Sequence, residues 1–156
     1  MTDPIKMPSW FTDALLLMAR LSIASVFWLS GQTKITGFAL SIFPFHWHWG
    51  WPQLADGTLY LFEHEYALPL IPPLLAAWMA AIAEHLCSIL LVIGWQTRIA
   101  VLILGMMTLV IQIFVYPLAY ATHGTWLSLL LFIFWLGAGR FSLDAWRSGP
   151  FLFRRA

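Results

Sequence analysis

The stretch Pro72 to Trp95, PPLLAAWMAAIAEHLCSILLVIGW, constrains this chain more than any other, because it is apolar enough to span a bilayer yet carries Glu84 and His85 near its centre. A proline pair opens it, where missing amide donors cost a helix little, and Gly94 and Trp95 close it. Between them run about twenty apolar residues, the length a hydrocarbon core demands. An ionisable side chain at mid-membrane is costly unless it is paired or faces a wet cavity, so Glu84 is expected to point into a bundle.

The rest of the composition agrees. A chain of 156 residues is one domain by length, and 61% hydrophobic against 10% charged content marks an integral membrane protein. A net charge of +1 points to no nucleic-acid partner. The single cysteine, Cys87, excludes an intramolecular disulfide and a CxxC relay. No small-x-small cleavage site follows the first apolar run, which therefore reads as a retained helix.

Four spans are expected, at about 10–30, 73–94, 99–116 and 125–138, forming an all-α transmembrane bundle in one domain over 1–156. Along the first, Arg20, Ala24, Phe27, Gly31 and Lys34 fall on one helical face, which should look inward. Along the second, Ala77, Ala81, Glu84 and Ser88 share a face small enough to let the first helix come close. Residues 35–71 are aromatic and interrupted by Pro44, Gly50, Pro52 and Gly57, so short interfacial helices or a re-entrant cap are expected there. Trp47, Trp49 and Trp51 would sit at headgroup level.

Charge bias sets the orientation. Lys6, Arg98, Arg140, Arg147, Arg154 and Arg155 fall on one side of this topology and Lys34 alone on the other, placing both termini in the cytoplasm and the 35–71 loop outside, in the periplasm of a bacterium. The basic tail around Arg147, Arg154 and Arg155 would lie on the anionic inner leaflet. Counting the helical rise from each span's start puts Arg20 and Glu84 at matching depth, about 15 Å in, so an ion pair between them is expected. The plainer role of that pair is a clasp fixing helix pairing; the sharper one makes Glu84 a proton acceptor beside a cavity, with His85 a helical step of about 100° away.

Intramembrane haem has no second histidine on a facing span. His46 and His48 would share one side only of an extended segment, and a metal would need further ligands, so they read as interfacial residues first and metal ligands second. Cys87 reads as an inert core thiol. No Gly-rich nucleotide loop or cysteine cluster is present.

Several segments together resemble the DoxX family of small four-helix bacterial and archaeal membrane proteins. They are RLSIASVFWLSGQTK (Arg20 to Lys34), LFEHEYALPLIPPLLA (Leu61 to Ala76), Ala83 with Glu84, GWQTRIA (Gly94 to Ala100), QIFVYP (Gln112 to Pro117), His123, and GAGRFSLDAW (Gly137 to Trp146). Gly137, Ala138 and Gly139 stand where the family commonly has Gly-Pro-Gly. The resemblance implies an inner-membrane bundle associated with redox chemistry: members are named as subunits of quinol oxidase or thiosulfate:quinone oxidoreductase, and relatives sit in complexes with a superoxide dismutase and a sulfurtransferase or in metal-stress settings.

The expected function is therefore a membrane subunit supporting redox or metal-stress chemistry, with a quinone held between the spans. Glu84 and Arg20 would form its polar core, and Trp28, Trp78, His85, Tyr116 and His123 its walls. A non-catalytic scaffold for partner proteins, or a carrier for a small hydrophobic or metal-bound solute, remain the alternatives.

Overall fold

The structure, a computed structural model, describes residues 9–41 and 44–148. Lys6, Arg154 and Arg155, on which part of the expected orientation rests, lie outside them.

Helix α1 spans Ser9–Lys34 and runs straight into a two-stranded antiparallel hairpin, β1 (Ile35–Ser41) and β2 (His46–Leu54). A short helix α2 (Asp56–Leu61) continues into a single π-helical turn, Phe62–Tyr66. Three helices follow, α3 (Pro73–Ile93), α4 (Thr97–Phe114) and α5 (Tyr120–Leu136), and then a short α6 (Leu143–Ser148). Helices α1, α3 and α4 are each long and apolar enough to cross a membrane; α5 is apolar but shorter.

The hairpin corrects the all-helical expectation. In HWHWGWPQ the residues alternate as a strand requires, and β-branched and aromatic side chains favour a pleated surface. Gly50 meets Gly37 across the ladder at a register shift between Thr36 and Phe38, so closely that a Cβ on Gly50 would stand 2.5 Å from the Gly37 carbonyl oxygen.

Helix α1 packs along α3, α3 against α4, α4 along α5, and α5 returns to α1. The expected inward faces are the buried ones: Arg20, Ala24, Phe27, Gly31 and Lys34 on α1, and Ala77, Ala81, Glu84 and Ser88 on α3, where Leu91 joins them. Ile23, Phe27, Leu91, Leu104, Leu130 and Ile133 fill the centre. A second cluster, Phe62 with Ala76 and Ala77, seats the π-turn against the start of α3.

Gly31 sets the register of α1 on α3. A Cβ there would lie 2.7 Å from His85 Cε1 and 3.2 Å from Glu84 Cβ, so any larger residue would have to displace the His85 ring. Because the helices are antiparallel, Arg20, three turns earlier and roughly 16 Å away along the axis, arrives at the far end of α3 rather than at Glu84.

That far end is a knot of loop-to-helix bonds. Gly94 ends α3 in the left-handed region (φ 67) and its carbonyl accepts from the Asp144 amide at 2.9 Å. The Asp144 carboxylate in turn accepts from the amides of Gln96 and Thr97, each at 2.9 Å, capping α4. The TR and SLD segments thus meet in space.

Candidate functional site

The expected Arg20–Glu84 ion pair does not form. Arg20, 1% exposed, donates through Nη1 to the Ala138 carbonyl and through Nη2 to those of Phe141 (2.8 Å) and Val92 (3.3 Å). Arg20 misses Glu84's level because α1 runs unbroken through Gly31 to Lys34, beyond the span end expected at residue 30. It is Lys34, the one basic residue expected at the outer end of the spans, that occupies Glu84's level.

Lys34 is 7% exposed and Glu84 2%. The Lys34 Nζ stands 2.9 Å from both carboxylate oxygens, with an aligned hydrogen bond to Oε1. The Ser30 hydroxyl donates to the same Oε1 at 3.0 Å and accepts from Nζ at 3.0 Å. Lys34 also bonds the Ser30 carbonyl at 3.3 Å. A charge pair this far from water is tolerated only with such extra bonds.

Glu84 and His85 face different cavities, as the angle between successive helical residues requires. Glu84 and Lys34 lie on a slot of about 230 Å³ between α3, α4 and the π-turn, otherwise lined by apolar side chains such as Met79, Ala80, Ala83 and Met107, with Tyr66 on one wall. Burial, and then the neighbouring Tyr116, Glu84 and Glu65, push the Tyr66 phenol up to about 12, so it stays a neutral hydroxyl at ordinary pH.

His85 opens instead on a groove of about 680 Å³ beneath the hairpin, with Trp28, Trp78, Phe38, Trp49 and Trp51. Its hydrogen bonds fix one tautomer. The Leu40 amide donates to Gln32 Oε1 at 2.8 Å, which turns the Gln32 amide nitrogen toward His85 Nε2 at 2.8 Å. Nε2 therefore accepts, and Nδ1 carries the proton it donates to the Ala81 carbonyl at 2.7 Å. Trp28 Nε1 donates to the Leu40 carbonyl at 2.9 Å, and its ring meets His85 edge-on at 5.0 Å. The polar atoms of Trp28 and His85 are thus engaged within the protein.

The structure therefore gathers Trp28, Trp78 and His85 on one groove and separates them from Glu84 and Arg20. Tyr116 and His123 border neither cavity. The Tyr116 hydroxyl donates to Glu65 Oε2 at 2.9 Å, which raises its pKa, and its ring meets Tyr66 edge-on. His123 lies buried in α5, its Nδ1 donating to Gln112 Oε1 at 2.7 Å, while Gln112 Nε2 donates to the Pro117 carbonyl. Both residues thus serve the α4–α5 connection.

His46 and His48 are exposed on β2 with one residue between them, and among the described residues no group of three or more His, Cys, Asp or Glu side chains is placed to hold a metal ion. Cys87 is buried in the core. Ser30, Gln32 and Tyr66 were not singled out in the sequence. Ser30 and Gln32 are polar residues in the closing turns of an apolar helix, a usable signal, whereas nothing in the spacing ties Tyr66 to Glu84.

A family model for DoxX matches residues 15–117, more than half of the chain, from within α1 to just past the end of α4. No curated protein and no solved structure matches it. The match takes in Arg20, Lys34, Tyr66 and Glu84 together with most of α1 and all of α3 and α4, the helices of membrane-crossing length, and on it the chain belongs to the DoxX family of membrane proteins.

Proposed function

We propose that this chain is a single-domain, inner-membrane subunit with four spans, α1, α3, α4 and α5, that supports redox chemistry by holding a quinone in the slot beside Glu84. In this reading both termini are cytoplasmic, the hairpin and π-turn form a cap on the outer side, and a partner protein supplies the redox centre. The supporting observation is an apolar slot of about 230 Å³ whose lining residues include Tyr66 and the ion-paired Lys34 and Glu84. Quinone sites need an apolar slot with few polar groups at the ring oxygens. Glu84 is the proton acceptor, Lys34 holds its carboxylate in place, and Tyr66 is the hydroxyl at the rim. Arg20 has no part in the chemistry; it ties helix ends together.

The test is purification into native lipid particles, solvent extraction and mass spectrometry of retained small molecules, with Glu84→Gln and Tyr66→Phe in parallel. Near-stoichiometric quinone in the parent, reduced in the variants while their circular dichroism is unchanged, is the expected result. A parent that retains only bulk lipid refutes the reading. The scaffold alternative draws on the hairpin, where Trp49 and Trp51 are 77% and 86% exposed. It requires instead that removing residues 35–54 releases a co-purifying protein while Glu84→Gln does not.

A further inference from the structure

Among the described residues, two of the five histidines have no partner. His64, His85 and His123 each hold a hydrogen bond, to the Tyr60 carbonyl, the Ala81 carbonyl and Gln112 respectively. His46 and His48 lie exposed on β2 without hydrogen bond, ion pair or ring contact. Their part of the ladder is regular: His46 pairs with Ser41, Trp47 with Leu40, His48 with Ala39 and Trp49 with Phe38, and the register shifts beyond that, between Phe38 and Thr36. Successive side chains of a strand point to opposite faces, so the two imidazoles share one. Trp49 lines the groove beneath the hairpin and meets Phe38 edge-on, which puts the histidines on the face turned away from the helices. Beside them on that face stand Ala39 and Ser41, side chains too short to crowd the rings.

Residues two apart on a strand are about 7 Å apart along it, and two imidazoles leaning together across that gap reach one ion, whose bonds to ring nitrogen are about 2 Å long. We propose that His46 and His48 form a copper(II) site on the face of the hairpin turned away from the helices. The choice of metal follows from how little the site imposes. Two nitrogen ligands with the other positions open enforce no coordination geometry, so selection falls to intrinsic affinity, which peaks at Cu(II) among the divalent first-row ions. Imidazole nitrogen and water suit its tetragonal preference, and water completes the shell at this exposed position. The site is separate from the Glu84 slot and stands independently of the quinone reading.

The experiment titrates glycine-buffered copper(II) into the full chain in detergent, followed by equilibrium dialysis and electron paramagnetic resonance. One equivalent per chain is expected, with coupling to two ring nitrogens in the spectrum, and held more tightly than nickel(II) or zinc(II). His46→Ala and His48→Ala should each weaken binding at least about tenfold, since even an outer-sphere partner of a metal is worth that much. His64→Ala should leave it unchanged. Trp47→His/His48→Trp keeps the composition but sets the two imidazoles on opposite faces of β2, and should bind no better than the single variants. Both native rings are exposed, and circular dichroism is expected to be unchanged in every variant. No saturable equivalent in the parent, or one that the His46 and His48 variants leave intact, overturns the site. A swapped variant that binds as tightly as the parent overturns its strand geometry, and tighter binding of nickel(II) or zinc(II) overturns the choice of copper.

Discussion

The Lys34–Glu84 pair is best tested by removing the cation alone. In Lys34→Met the side chain keeps its approximate length and the carboxylate stays where it is, buried, with only the Ser30 hydroxyl still donating to it. At 2.9 Å and an effective dielectric of about 20, two unit charges attract by roughly 5–6 kcal/mol. Breaking a buried pair by deleting one partner typically costs about 3–5 kcal/mol. The retained Ser30 bond argues for the lower end, so a loss of about 3 kcal/mol is expected. Lys34→Met/Glu84→Gln has no charge left to strand and should lose only about 1 kcal/mol, giving a coupling energy of about 2 kcal/mol or more across the cycle. Unfolding in mixed micelles by added dodecyl sulfate, followed by circular dichroism, measures all four proteins. A single-variant loss below about 1 kcal/mol with no coupling would refute the reasoning. So would a cycle showing Glu84 coupled to Arg20 rather than to Lys34.

Arg20→Lys should cost about 2 kcal/mol in the same assay, since one ammonium cannot reproduce the planar fork that reaches Ala138, Phe141 and Val92. Gly31→Ala, whose methyl would meet His85 Cε1 at 2.7 Å, should cost about 1–3 kcal/mol and speed hydrogen exchange at the Leu40 amide, as His85 and Gln32 are pushed aside. Asp144→Ala should cost about 1 kcal/mol and expose the Gln96 and Thr97 amides to exchange. Tyr66 should ionise near 12 in the folded protein, against 10.0 for an unperturbed phenol, as read from ultraviolet phenolate absorbance. Its folded pKa lies above the unfolded one, so its contribution to stability is complete below about pH 10 and is lost as pH rises through 12; Tyr66→Phe should flatten that alkaline loss.

The long helices were legible because a bilayer demands unbroken apolar runs and these supply them. Their inward faces were legible too, since Arg20, Ala24, Phe27, Gly31 and Lys34 repeat with helical spacing and all five are buried. What spacing within one helix does not contain is the axial offset between two helices. That offset depends on where α1 and α3 come closest, at Gly31 against Glu84 and His85, and an error of three turns there replaced Lys34 with Arg20. The hairpin was obscured by its own punctuation. Pro44, Gly50 and Pro52 suggested broken helices, whereas the alternation of histidine and tryptophan was the stronger signal. Tyr66 reaches the Glu84 slot through the fold of a π-turn, and no periodicity along the chain announces that meeting.

Helix α1 is fastened at two levels, and the two fastenings differ in kind. Near Lys34 it is held by a titrating acid. At Arg20 it is held by peptide carbonyls, two of them at or just past the C-terminal ends of α3 and α5, where helix dipoles concentrate negative potential. Peptide groups do not take up protons in any ordinary pH range. A proton delivered to Glu84 would therefore weaken the hold on α1 at one level only, leaving the fastening at Arg20 and the Gln32–His85 contact untouched.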